Sequence, residues 1–486
     1  MLALSDPALL RDALYIDGQW LKPAGVGTIE VRNPATQQRI VCVPKAGREQ
    51  AAAAIARASA ALPAWSARTA KDRAAILRRW HDLTLQHVDD LARILTSEQG
   101  KPLSEARAEI LYGAAFFEWF AEEGKRIYGE TIPAPSADRR LLVLRQPIGV
   151  CAAITPWNFP MAMIARKAAP ALAAGCTMVL KPASATPLSA LALAELAQRA
   201  GVPPGVFNVV PGGATTVGEE LVTHPAVRKV TFTGSTTVGR ELMAKAAGDI
   251  KKVSLELGGN APLIVFDDAD LETAVAGALV CKFRNAGQTC VCANRIYVQS
   301  GIYPAFEEAF SSAVARLKVG DGSAPGTEQG PLIDEAAVGK TLEHLEDAVA
   351  LGARVTVGGA RHALGGTFFQ PTVLSGVTGR MRVAREETFG PLAPLFRFET
   401  EEQAIEEANR TEYGLAAYFF TRDHARIWRV GEALEFGVIG VNTGNTSYEG
   451  APFGGLKSSG IGREGSHRGI DEFLETKYLC VAGIGR

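Results

Sequence analysis

The segment Gly287-Gln-Thr-Cys290-Val-Cys292 places a cysteine just after a glycine, at what reads as a turn between a helix and a strand. A thiol there is partly exposed among backbone N–H donors, which favour both a thiolate nucleophile and the oxyanion it creates on a carbonyl. The same pattern also describes a buried, inert cysteine. Glu256, within Ser254-Leu-Glu-Leu-Gly-Gly-Asn260, stands at a strand end among apolar neighbours. It suits a general base with an adjusted pKa, or the structural partner of a basic group. Asn158, in Thr155-Pro-Trp-Asn-Phe-Pro160, follows a strand and precedes a helix that Pro160 can open. Its amide either caps that helix or donates to an oxyanion. Thr233-Gly-Ser-Thr-Thr-Val-Gly239 falls where a strand ends and a helix starts. Gly234 and Gly239 there let a helix N-terminus approach a pyrophosphate, or simply make a tight turn.

The elements that must position these groups change character along the chain. The first third reads as helical: Ile76, Trp80 and Leu83 line one face of a helix over Ala74–Leu95, and a second helix runs from Pro102 to near Gly124. The stretch Arg140–Arg145 alternates like a strand. Beyond it, apolar strands at Val150–Ile154, Thr177–Leu180, Val206–Val210 and Lys229–Thr233 alternate with helices such as Leu188–Ala200. A second alternation follows, with Pro262–Phe266, a helix from about Asp270, and Arg295–Gln299. This β-α rhythm predicts mostly parallel sheets with helices on both faces, hence two tandem doubly wound α/β domains meeting near Gly258-Gly259. Glu472–Val481 reads as a strand able to extend a partner's sheet.

A chain of 486 residues exceeds one ordinary core. Its 47% hydrophobic and 21% charged residues are those of a globular protein, and its net charge of −1 shows no clustered basic excess. Nucleic acid is therefore not an expected partner. Neither a membrane span nor a signal-peptide core is visible, and seven cysteines, an odd number, suit reduced thiols in the cytoplasm. No cysteine or histidine spacing fits a zinc site, so no metal is expected. A cysteine hydrolase is the rival chemistry for Cys290, but it needs a histidine that no motif supplies.

Taken in order, TPWNFP at 155–160, KPAS at 181–184, FTGSTTVG at 232–239, LELGGN at 255–260, GQTCVC at 287–292, EETFGP at 386–391 and PFGGLKSSGIGREG at 452–465 resemble the aldehyde dehydrogenase superfamily over essentially the whole chain. The resemblance implies a Rossmann-like cofactor domain at 1–125 and 147–258 and a catalytic domain at 259–458. A small β oligomerisation extension at 126–146 and 474–486 would build dimers or tetramers. It implies Cys290 as nucleophile, Asn158 and the Cys290 N–H as oxyanion donors, and Glu256 as the base that activates water. Thr155, Trp157, Asn158, Lys181, Ala183, Ser184, Gly213, Gly234, Ser235, Leu257, Glu387 and Phe389 match the family's cofactor contacts. Where relatives preferring NAD carry a glutamate, this chain has Ser184. Losing that carboxylate removes repulsion toward a 2′-phosphate, so NADP is expected to be preferred, with NAD possible.

Arg166, Lys282-Phe-Arg284-Asn-Ala and Ser447 look most like the succinate-semialdehyde dehydrogenase branch. The resemblance makes Arg166, Arg284 and Ser447 the clamp for a distal carboxylate, a role that guanidinium forks suit. The loop Asn445-Thr-Ser-Tyr-Glu-Gly450 departs from the usual pattern at Asn445, Tyr448 and Gly450, which leaves glutarate semialdehyde or another short ω-carboxy aldehyde open. Cys292 is either a redox partner for Cys290 or a small buried hydrophobe.

Overall fold

The structure is a computed structural model and describes residues 2–484. Strand Val150–Ile154 is buried along its whole length and lies between Thr177–Lys181 and Val227–Thr233, parallel to both. Such continuous apolar runs are what a parallel strand covered on both faces requires. Around it forms an eight-stranded sheet. Its order runs Gln19–Leu21, Leu14–Ile16, Phe207–Val209, Thr177–Lys181, Val150–Ile154, Val227–Thr233, Lys252–Glu256 and Gly460–Ile461. Strands that follow Val150–Ile154 in the chain lie on both sides of it. Ligands of open α/β sheets bind at such a reversal, beyond the carboxyl ends of the strands.

A second, seven-stranded sheet is centred on Ala261–Val265, Ala293–Gln299 and Leu392–Phe398, all parallel. The link between the sheets is short because Gly259 permits close approach: a Cβ there would lie 2.3 Å from the Cys290 carbonyl oxygen. A third sheet is antiparallel, in the order Leu474–Val481, Arg140–Pro147, Glu130–Ile132, and most of its residues are exposed.

Two expectations change. Residues 14–44 hold four strands rather than helix; the first two form a hairpin whose turn, Asp17-Gly18, has φ of 55° and 73°. That Asp-Gly pair is a turn signal visible in the sequence. The helix expected over Ala74–Leu95 is two, Ala70–Gln86 and Val88–Gln99, broken at His87 with φ −105° and ψ 18°. The apolar face continues across the break, so periodicity alone could not find it. The C-terminal strand pairs with Arg140–Pro147 of its own chain through its whole length, which builds the expected extension. Residues 485 and 486 of the expected extension lie outside the described residues, as does residue 1. Among the described residues, no helix is long and apolar enough to cross a membrane.

Candidate active site

Cys290 follows helix Leu271–Phe283 and precedes strand Ala293–Gln299. Between them the chain turns through three left-handed residues, Asn285, Ala286 and Gly287, at φ 52°, 55° and 74°. Two are not glycine, and each of those costs about 1 kcal/mol. Hydrogen bonds from distant elements hold this bend. Asn285 N donates to Glu105 Oε2 at 2.8 Å, Gln99 Nε2 to Asn285 Oδ1 at 2.9 Å, and Asn285 Nδ2 to the Asn158 carbonyl at 3.0 Å. Lys101 Nζ reaches that carbonyl and Glu109 Oε2, both at 2.7 Å. This positioning network was absent from the sequence reading. Its one signal is the four-residue recurrence of Lys101, Glu105 and Glu109.

The Asn158 amide does not cap a helix. The helix after it starts at Ala162, not at Pro160, and Glu109 Oε1 accepts the Met161 and Ala162 N–H groups at its start. Asn158 Nδ2 donates to the Gln288 carbonyl at 2.9 Å, which fixes the amide beside the nucleophile's loop.

Two cavities meet at Cys290. The smaller, about 200 Å³, is lined by Cys290 and Thr289 together with Arg166, Arg284, Ser447 and Phe453. The larger, about 370 Å³, is lined by Trp157, Asn158, Gly234, Ser235, Leu257, Glu387 and Phe389 together with Cys290. No histidine lines either one. That removes the base a cysteine hydrolase would need.

In the smaller cavity, Arg166 is fully buried and ion-paired to Glu464, with Nε 2.8 Å from Oε2. The contact is close but not angled as a hydrogen bond, and Arg166 Nη2 has no partner. The guanidinium also lies 4.0 Å from the Phe453 ring centroid. Glu464 pairs with Lys167 as well; burial pushes its carboxyl up, but Lys167 and Arg166 outweigh burial and hold it below the usual range. Arg284 is half-buried, 5.6 Å from the Phe159 ring centroid. Sequence reasoning missed Glu464 as the counter-ion, although it sits in the quoted GREG segment.

Glu256 lines neither cavity. It is buried, its Oε2 has no hydrogen-bond partner, and burial first and then Glu464 raise its pKa well above the ordinary carboxylate value. The Cys290 thiol, expected as a stabilised thiolate, is instead pushed up to about 12, by burial and then by the Glu387 and Glu256 carboxylates against Arg166. The reason is that burial strips water from the sulfur, which penalises the charged thiolate.

In the larger cavity, strand Val227–Thr233 ends at the lining residues Gly234 and Ser235, and Ser235 caps helix Thr236–Ala246 through Val238 N. Buried Thr233 Oγ1 lines the same cavity and has no partner. Glu387 Oε1 accepts from Gly259 N at 3.0 Å, and burial pushes its carboxyl up to about 7. Phe389, at φ 58°, packs edge-on against Trp157 with ring centroids 5.6 Å apart. Lys181, Ala183, Ser184 and Gly213 lie outside this lining, as does Thr155, whose buried Oγ1 lacks a partner. Lys181 ends its strand buried, and burial pulls its ammonium down to about 8. Ser184 is exposed, its Oγ donating weakly to the Gly212 carbonyl at 3.5 Å.

Cys290 and Cys292 are separate free thiols. Cys292 is buried outside both cavities and accepts from Lys282 Nζ at 3.3 Å.

Known proteins are similar over nearly the whole chain. The Escherichia coli succinate-semialdehyde dehydrogenase [NADP(+)] is 63% identical, over 98% of this chain and 99% of its own. The glutarate-semialdehyde dehydrogenase of Pseudomonas aeruginosa is 61% identical, over 99% and 100%. A crystal structure of an E. coli NADP dependent enzyme superposes with a TM-score of 0.98 at 62% identity, covering 99% of this chain and 100% of that one. The model of the aldehyde dehydrogenase family matches residues 20–479. The chain belongs to the aldehyde dehydrogenase family.

Proposed function

We propose that this protein oxidises a short aldehyde carrying a distal carboxylate, succinate semialdehyde first, to the dicarboxylate with NADP. The observation that carries this reading is the smaller cavity. Cys290 lines it, together with Arg284, Ser447 and buried Arg166, whose Nη2 is unpartnered. A guanidinium with a free donor recovers its desolvation cost by binding a carboxylate.

The Cys290 sulfur attacks the aldehyde carbon, and the thiol proton passes to a water molecule as the bond forms. Asn158 and the Cys290 N–H donate to the oxyanion. NADP held in the larger cavity by Gly234, Ser235 and Glu387 would supply the hydride acceptor, and loss of hydride from the tetrahedral carbon would leave the acyl thioester on Cys290. Glu256 then accepts a proton from water as that water attacks the thioester. Its raised pKa makes it a stronger base than an exposed carboxylate.

The residues of the larger cavity fit a dinucleotide. A capped helix N-terminus and the orphaned Thr233 hydroxyl offer donors to phosphate, while Glu387 offers an acceptor. Lys181, Ser184 and Gly213 would hold the ribose end, where the absence of a carboxylate at Ser184 admits a 2′-phosphate. We assign 1–125 and 147–258 to cofactor binding and 259–458 to catalysis. The exposed three-stranded extension would join copies in a homo-oligomer, in the cytoplasm.

Glutarate semialdehyde is the second reading, favoured by the P. aeruginosa relative and by the exposed Asn445 in the cavity wall. Steady-state rates with succinate semialdehyde, glutarate semialdehyde and hexanal, each with both cofactors, test this. We expect kcat/KM for succinate semialdehyde about 100-fold above that for hexanal, from one charge-assisted clamp. Equal values end the carboxylate reading, a preference for the longer acid selects the second, and a roughly tenfold preference for NAD overturns the cofactor assignment.

A further inference from the structure

Away from both catalytic cavities, a groove of about 670 Å³ lies against strands Ala293–Gln299 and Leu392–Phe398 and is walled by residues 377–385 and 403–410. Five arginines line it, Arg295, Arg380, Arg385, Arg397 and Arg410, against one carboxylate, Glu407. They are not alike. Arg410 is neutralised by Glu406 at 2.7 Å and Glu407 at 3.0 Å, and Arg397 leans toward Glu399 at 3.8 Å.

The other three have no carboxylate within ion-pair distance among the described residues. Arg295 is buried, and its donors go to backbone carbonyls: Asn260 at 3.0 Å, Glu407 at 2.9 Å and Ala408 at 2.8 Å. Arg385 Nε donates to the Gly379 carbonyl at 3.0 Å, and exposed Arg380 carries no ion pair. Carbonyl dipoles satisfy hydrogen bonds but do not cancel a formal charge. A buried guanidinium held this way projects positive potential into the groove beside it. Rim arginines in water are ordinarily solvated charges. Here they surround an already uncompensated one, in a concavity of the size small ligands occupy.

We propose that this groove binds a small anion carrying two or more phosphate or carboxylate groups, at a site separate from the catalytic centre. Arg380, Arg385 and Arg397 would supply guanidinium forks to its oxygens, and Arg295 the buried positive field beneath.

Calorimetric titration of inorganic pyrophosphate into the full-length enzyme saturated with NADP tests this, because a filled nucleotide cavity cannot take up the probe. We expect saturable binding, one site per chain, with Kd below about 1 mM at low ionic strength, weakening as salt rises. The R380E/R397E variant should bind at least about tenfold more weakly while kcat/KM stays within about twofold. Should that double variant not fold, R380A alone, which removes an exposed side chain without an ionic partner, should still weaken binding by about threefold. No saturable heat, pyrophosphate affinity unchanged by loss of these charges, or equal binding of chloride at matched ionic strength would each overturn the proposal.

Discussion

The two cavities that meet at Cys290 bind charge by different means. The smaller one uses formal charges inside the protein: Arg166 and Lys167 are both compensated by Glu464, and none of the three sees much water. The larger one adds a helix N-terminus at Ser235 and the Thr233 hydroxyl to the charged groups Asp334, Lys340 and Glu387 of its lining. A buried ion triad is rigid and costly to unbalance, whereas a helix end tolerates change and selects by small differences. Cys290 stands between them and takes its electrostatics from both, since Glu387 raises and Arg166 lowers its pKa against the larger effect of burial.

The largest effect should therefore appear at Cys290 itself. With its thiol pushed up to about 12, the ligand-free enzyme holds little thiolate at neutral pH. The protonated form dominates below the pKa, so the thiolate fraction grows about tenfold for each pH unit. Alkylation of Cys290 by iodoacetamide, followed by peptide mass spectrometry, should accelerate about 1000-fold between pH 6 and pH 9 without levelling. A plateau below pH 8 would mean that one cavity already stabilises the thiolate.

Next in size is the buried triad. Glu464→Gln keeps the shape but leaves Arg166 and Lys167 without a counter-ion. Removing one partner of such a pair costs about 3–5 kcal/mol. Denaturant unfolding should show that loss, and a change below about 1 kcal/mol would mean that water already reaches the site. The matching change in the other cavity, Thr233→Val, removes a hydroxyl with no partner and should leave stability within about 1 kcal/mol of the parent.

This contrast also explains what the sequence made legible. Groups that approach the larger cavity lie within short contiguous motifs: Thr233, Gly234 and Ser235 are adjacent, and strand-turn-helix order alone places them together. Fold class was readable for the same reason, because a buried parallel strand such as Val150–Ile154 is a local apolar run. The groups that hold the smaller cavity come from far apart. Gln99 and Asn285, or Lys167 and Glu464, touch only after the sheets have assembled, and no periodicity links them. Arg166 and Arg284 were visible through resemblance, but the partner that keeps Arg166 charged was not. The strands at 14–44 escaped because each is short and three of them are partly exposed, although Asp17-Gly18 marked their first turn.

Arg284 differs from Arg166 within the same wall. It is half-buried and has no carboxylate at ion-pair distance among the described residues. Arg284→Ala should therefore spare folding and raise KM for succinate semialdehyde about 30-fold, the worth of one charge-assisted contact of about 2 kcal/mol. KM for NADP and the rate with hexanal should stay put. An unchanged KM for the acidic substrate, with activity retained, would leave Arg166 as the sole anchor.

A smaller effect belongs to Ser184, outside the lining of the larger cavity. Ser184 is exposed and its hydroxyl makes a single weak bond to the Gly212 carbonyl, so replacing it disturbs nothing that holds the fold. Ser184→Glu adds a carboxylate where the ribose is expected. That group repels a 2′-phosphate and accepts from a 2′-hydroxyl, so it works in both directions on the ratio of cofactors. Solvent screening keeps each part modest, and together they should move the ratio of kcat/KM from NADP toward NAD by about tenfold. KM for the aldehyde should not change, because Cys290 separates the two cavities. A tenfold swing in aldehyde KM instead would show that the cavities are coupled through the nucleophile's loop.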